Sequence, residues 1–323
     1  MSMSSRRAIR LLFLLIASVS SAGGCNTSFA QEKEPAEVIK INTDLVVFDA
    51  QVFDQKTKRA IGGLTKDDFV VTEKGVRQPV SYLSLDELPL SIMLLIDVSG
   101  SVRPILHQIR DGALEALQHL KAEDQVAVMA FATTSEVVQD FTKDRRLVSE
   151  KVKAATASER LGRETVLGPA LYDAALKMAT APQTSRRVII IVTDNIAVTF
   201  RPQEKKILQE LFDGDSVVYG LRVCCGSGSL FGVLGAGAIR GVNEYVERTG
   251  GELLDAENDK VDAKLALVID RLRLRYAIGF KPTNTTEDGR FRPVEIRMAS
   301  AKKKDEKAVV LTKRGYYFRR RQQ

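Results

Sequence analysis

The sequence predicts a doubly wound, mostly parallel α/β sheet inserted between two β segments of the same chain. Three observations predict it. The runs Ile92–Ile96 and Val188–Val192 are continuously apolar, as parallel strands covered on both faces must be. Across residues 88–275, helical apolar spacing alternates with such runs, which is the signature of βα units. On either side, residues 38–87 and 276–318 change to the two-residue alternation of half-buried strands.

The first thirty residues stand apart from the fold. Arg6, Arg7 and Arg10 precede the apolar run Leu11–Val19, and Ser28-Phe29-Ala30 before Gln31 has the small-x-small form of a cleavage site. Residues 1–30 therefore read as a secretory signal, which directs the chain to the periplasm, the cell envelope or the exterior. Ala22-Gly23-Gly24-Cys25 also resembles a lipobox, so simple cleavage and a lipid on Cys25 both stay open. Membrane contact is expected only through the signal or such an anchor.

The charged stretch 31–37 is a linker. In the first β segment Val46, Phe48, Ala50 and Val52 alternate with Val47, Asp49 and Gln51. Thr65-Lys66-Asp67-Asp68 reads as a capped single turn leading to Phe69-Val70-Val71, and Lys74-Gly75 turns the chain back into Pro79–Leu83. After Ile96 a helix is expected with Ile105, Ile109, Ala113, Leu117 and Leu120 on one face and Pro104 in its first turn, where proline is tolerated. Val126–Phe131 is the next strand, and Val137-Val138 a short edge strand. Helices follow over 144–155 and 167–179, then the strand at 188–192, a helix over 202–212, a strand over 216–223, and helices over 240–249 and 259–272. The last segment offers strands at Tyr276–Phe280, Val294–Met298, Val309–Leu311 and Tyr316–Phe318. Neither flanking segment is large enough for a core of its own, so together they should make one small β-sandwich.

Charge and composition remove several classes of function. Of the net +7, the signal contributes +3 and residues 301–323 contribute +7, leaving the body 31–300 at −3. The basic tail 319–323 and Lys302-Lys303-Lys304 belong to no nucleic-acid-binding module, and no nucleic acid partner is expected. The chain has two histidines, His107 and His119, too few for a histidine-ligated zinc enzyme. Cysteines are sparse. The adjacent pair Cys224-Cys225 has Cα atoms about 3.8 Å apart, below the separation of roughly 4.4–6.8 Å usual for disulfides. One of the two is expected to pack as a small apolar residue and the other to be free or paired between chains.

The chemistry gathers at one edge of the predicted sheet. The strand ending at Ile96 runs straight into Asp97-Val98-Ser99-Gly100-Ser101, and the strand ending at Val192 delivers Thr193-Asp194. In doubly wound sheets ligands bind at the carboxyl ends of the strands, near the point where strand order reverses. Gly162-Arg163-Glu164-Thr165, ahead of a helix, can reach the same edge. Carboxylates and hydroxyls without histidine or cysteine suit a hard cation, Mg²⁺ first and Mn²⁺ or Ca²⁺ next. Helix capping is the plainer explanation of Asp97 and Ser99, but it leaves Thr165 and Asp194 unexplained.

The Asp-x-Ser-x-Ser loop, a threonine in a glycine-containing loop and an aspartate after the fourth strand together resemble the metal-ion-dependent adhesion site of the von Willebrand factor type A domain, a Rossmann-like fold. The likeness runs over residues 90–275, and the flanking Gly63–Phe69 and Lys313–Tyr317 are similar to secreted bacterial proteins called VWFA-related. The resemblance implies Ser99, Ser101 and Thr165 as direct ligands, with Asp97 and Asp194 acting through water. It also implies a coordination position left for an Asp or Glu of a protein partner, hence binding in place of catalysis. Asn195 departs from the glycine common after the aspartate, and Glu164 from a glycine common before the threonine. The alternative is a metal-dependent hydrolase or phosphatase on a similar sheet. A phosphatase of the haloacid dehalogenase kind needs an acid where Ser99 stands, and no Gly-x-Ser-x-Gly elbow is present.

Overall fold

The computed structural model describes residues 45–85, 87–195, 204–223, 241–256, 260–286, 288–299 and 308–318. The leader with Cys25, the Cys224-Cys225 pair, Lys302–Lys304 and the tail 319–323 lie outside the described residues. Among the described residues no helix is long and apolar enough to cross a membrane.

The first segment forms β1 (Val46–Asp54), β2 (Phe69–Glu73), β3 (Val76–Gln78) and β4 (Val80–Ser84). The α/β part follows as β5 (Leu90–Asp97), α1 (Leu106–Ala116), β6 (Gln125–Phe131), β7 (Ser135–Thr142), α2 (Arg145–Ala157), α3 (Leu167–Met178) and β8 (Arg186–Thr193). It continues through α4 (Glu204–Asp213), β9 (Ser216–Val223), α5 (Gly241–Thr249), β10 (Leu253–Ala256) and α6 (Val261–Arg273). The chain closes with β11 (Arg275–Phe280), β12 (Phe291–Met298), β13 (Ala308–Thr312) and β14 (Gly315–Tyr317).

The central sheet has the order β10-β9-β8-β5-β6-β7, parallel except for β7. Every residue of β5 is buried, which is why its sequence runs apolar without alternation. One face is covered by α1, α2 and α6 through Ile109, Ala113, Val148, Val152, Leu265 and Val268. The other is covered by α3, α4 and α5 through Leu171, Ala174, Ile207, Leu211, Val242 and Val246. Strand order reverses between β5 and β8, so the carboxyl ends of these two strands flank the crevice where a doubly wound sheet binds its ligand.

The flanking segments form two four-stranded antiparallel sheets, β13-β1-β11-β4 and β14-β12-β2-β3, each drawing strands from both ends of the sequence. Phe48, Ala50, Val52, Val71, Ile278, Phe280, Val294 and Ile296 fill the space between them.

Differences from the sequence reading are local. β7 is an eight-residue strand and not a short one, and β10 is additional. The first helix begins and ends in 3₁₀ turns, Arg103–Ile105 and Leu117–His119. The last strand ends at Tyr317, and its two tyrosines face opposite sides. Tyr316 is buried in the sandwich, whereas Tyr317 packs against Phe212 of α4 with ring centroids 6.2 Å apart, because successive strand residues point to opposite sides.

Candidate metal centre

β5 ends on Asp97, whose carboxylate is fully buried and makes no ion pair among the described residues. Its Oδ1 accepts the Ser99 backbone N–H at 2.9 Å, which folds the chain sharply at the strand end. Its Oδ2 accepts the Thr193 hydroxyl at 2.6 Å, linking the ends of β5 and β8 across the reversal point. Burial pushes the Asp97 carboxyl up to about 6, the hydrogen bonds from Thr193 and Ser99 oppose this, and the charge of Asp194 adds to the rise. A dry carboxylate beside a second one is an environment that a divalent cation would relieve.

The hydroxyls stand close to this carboxylate. Thr165 Oγ1 donates to Ser99 Oγ at 2.9 Å, and Ser99 Oγ and Ser101 Oγ are 3.2 Å apart. Ser99 is fully buried, Thr165 and Asp194 nearly so, and Ser101 is exposed. Among the described residues the site thus has a buried floor and is open at Ser101. Asp97, Ser99, Ser101 and Thr165 are joined by hydrogen bonds directly or through one another, and Asp194 follows Thr193 at the same strand end. All the donors are oxygen, and among the described residues no three His, Cys, Asp or Glu side chains converge as a nitrogen- or sulfur-rich site would need. His107 is exposed on α1.

The loop that carries Thr165 is held by contacts the sequence does not advertise. Thr133 Oγ1 accepts the backbone N–H groups of Arg163 and Glu164 at 3.2 and 3.1 Å. The Gly100 N–H reaches the Arg163 carbonyl at 2.8 Å, and the Val166 N–H reaches the Ala132 carbonyl at 2.9 Å. Gly162, at φ +93°, passes so near Thr133 that a Cβ there would lie 2.3 Å from its hydroxyl oxygen. Asn195 adopts φ +60°, which asparagine tolerates better than most residues. Its Oδ1 accepts the Val242 N–H at the start of α5 at 3.2 Å. Glu164 is exposed. Thr133, Thr193 and Asn195 are thus the supporting residues to which sequence reading assigned no part in the site. Thr193, beside Asp194 at a strand end, and Asn195, in place of the glycine common there, each carried a signal in the sequence, and Thr133 carried none.

Residues 92–196 match the model of the von Willebrand factor type A domain. Over those residues the chain is similar to that family. The matched stretch of the type A domain runs from β5 to just past Asn195 and so includes all five candidate residues. No curated protein matches the chain. Among solved structures, BatB from Bacteroides thetaiotaomicron is similar at 15% identity, covering 57% of this chain and 98% of that one with a TM-score of 0.46. A von Willebrand factor type A protein from Catenulispora acidiphila is similar at 12% identity, over 86% of this chain and 74% of its own, with a TM-score of 0.48. Proximal thread matrix protein 1 from the mussel byssus, with a zinc-occupied MIDAS motif, is similar at 15% identity and a TM-score of 0.45. The match covers 57% of this chain and 48% of that protein.

Proposed function

We propose that the chain is an exported, divalent-cation-dependent protein-binding module. Ser99, Ser101 and Thr165 would hold the ion directly, and Asp97 and Asp194 through bound water. The ion would supply an electrophilic point at the open, Ser101 side, where an Asp or Glu of a partner protein completes its coordination. One observation carries the reading: three hydroxyls from two separate loops gather over a buried carboxylate that has no cationic partner among the described residues.

An all-oxygen donor set suits a hard cation. At metal–oxygen distances of about 2.0–2.1 Å, neighbouring ligands of an octahedral Mg²⁺ sit about 2.9 Å apart, whereas Ca²⁺ at about 2.3–2.6 Å calls for about 3.4 Å. The Thr165–Ser99 hydroxyl separation of 2.9 Å matches the first, and the Ser99–Ser101 separation of 3.2 Å falls between the two. Mg²⁺ is the ion proposed, with Mn²⁺ as its nearest substitute. Binding is preferred to hydrolysis because the position two residues after Asp97 is a serine and the histidine on α1 faces solvent. Export rests on the leader 1–30, which leaves cleavage or lipidation at Cys25 to be distinguished by mass spectrometry of the mature N-terminus.

The test is calorimetry with Mg²⁺ and Mn²⁺ on the wild type and on Asp97→Asn, with circular dichroism as the folding control. Asp97→Asn keeps the shape and an acceptor for Thr193 but removes the charge, and affinity should fall at least about tenfold, since a buried charge-assisted contact contributes on that order. Binding of neither ion by the wild type, or equal binding by the variant, would make the loop a helix cap only.

A further inference from the structure

Of three arginines close in sequence to the loops of the site, Arg103, Arg160 and Arg163, two are paired within the fold. Arg103 pairs with Glu159 and Arg160 with Glu136. Arg163 is exposed, and its guanidinium makes no ion pair or hydrogen bond among the described residues. Its backbone nevertheless is fixed twice, the N–H by Thr133 and the carbonyl by the Gly100 N–H. Its side chain folds back over the loop of hydroxyls. Nε lies 3.6 Å from the point a Cβ on Gly100 would occupy, between Ser99 and Ser101. A glycine at that place leaves the room the arginine uses.

We propose that Arg163 is a second anchor for the partner's acidic residue, resting on the metal-site reading above. One carboxylate oxygen would complete the shell of the cation, and the other would accept from the guanidinium of Arg163. A carboxylate is planar with two acceptor oxygens, and the guanidinium fork matches that geometry as an ammonium does not. The arrangement selects a carboxylate over a carboxamide twice, since an Asn or Gln offers no charge to the ion and presents an N–H₂ where the arginine also donates. The backbone of Arg163 is held in place without any ligand, so the ordering left to binding is that of its exposed side chain. Arg163 is therefore a specificity-determining residue of the surface and not a ligand of the ion.

The test uses the full, isotopically labelled chain in saturating Mg²⁺, with the peptide Gly-Gly-Asp-Gly-Gly as probe and Gly-Gly-Asn-Gly-Gly as control, followed by amide shifts of the Asp97–Ser101 loop. Arg163→Gln should weaken the aspartyl peptide about tenfold, leave the asparaginyl peptide unchanged and keep Mg²⁺ affinity within about twofold. Arg163→Lys should recover part of the loss, since charge returns without the fork. Glu164→Gln, the neighbouring exposed residue, should not weaken binding. Equal aspartyl affinity in the wild type and Arg163→Gln would overturn the proposal while leaving the metal site standing. So would an equal loss in Glu164→Gln, which would point to loop integrity. Absence of Mg²⁺ binding in the wild type would instead overturn the metal-site reading and the anchor with it.

Discussion

A buried carboxylate needs a compensating group, and the two ends of the central sheet supply it in opposite ways. Asp97, at the carboxyl edge, has only hydrogen bonds among the described residues and is pushed up to about 6 by burial. Asp124, just before β6 at the other edge, is equally buried. Burial raises its carboxyl, but the bonds from Arg273 and from the Leu90 and Lys121 N–H groups outweigh this and hold it below the usual range. Those N–H bonds measure 2.9 and 2.7 Å, and Arg273 completes a short ion pair. Asp124→Ala should therefore destabilise the fold by about 3 kcal/mol at pH 7, since it strands a mostly buried arginine and two donors. A group whose folded value is depressed contributes stability that is present above its unfolded value, near 4, and is lost as pH falls through the folded one. The gap between variant and wild type in urea unfolding should accordingly narrow below about pH 4. A gap that does not change with pH would assign the loss to packing alone.

At the scale of elements, the strands were legible where burial imposes a continuous apolar run, as in β5 and β8. They were not where length or position weakens the pattern. β10 is four residues, Leu253–Ala256, at a sheet edge, too short for a period to register. β7 mixes exposed and half-buried positions around register shifts against β6, so only its Val137-Val138 pair stood out. The five candidate site residues could be read because two strand ends and one loop announce themselves locally. Thr133 could not, because its role is to hold Arg163 and Glu164, which are thirty and thirty-one residues away. That clip can be tested as an element. Thr133→Val keeps the shape and removes the acceptor for two N–H groups, which should cost about 1–2 kcal/mol of stability. It should also lower Mg²⁺ affinity severalfold, because Thr165 would then be carried on a looser loop. Unchanged affinity by calorimetry would show that the Gly100 and Val166 backbone bonds fix the loop without it.

For the whole molecule, the order in which strands pair matters more than the order in which they occur. β1 has β11 on one side and β13 on the other, β4 pairs with β11, and β2 pairs with β12. Among the described strands of the first segment, only β2 and β3 pair with each other. The sandwich is joined to the central sheet by charged residues that no hydrophobic pattern could reveal. Arg186 grips Asp49 with bonds of 2.6 and 3.1 Å, and the fully buried Arg275 donates to the Tyr219 hydroxyl at 2.9 Å and the Gly250 carbonyl at 3.2 Å. Tyr219 in turn donates to Gln51 at 2.5 Å. These partners lie far apart in sequence, so no local pattern marks such arginines as buried. We infer that residues 88–275 fold alone, since the six-stranded sheet and both its helical layers are complete within them. Their melting temperature should be lower than that of the full chain, because Arg186 and Arg275 lose Asp49. The fragment 31–87 should remain unfolded, since its internal pairing is one hairpin, and an isolated hairpin is marginal in water. Mixing it with 276–318 cannot be expected to restore the sandwich without the central sheet that carries both. Thermal unfolding followed by circular dichroism decides the matter: a cooperative transition in 31–87 alone would overturn the view that the two flanks are halves of one unit.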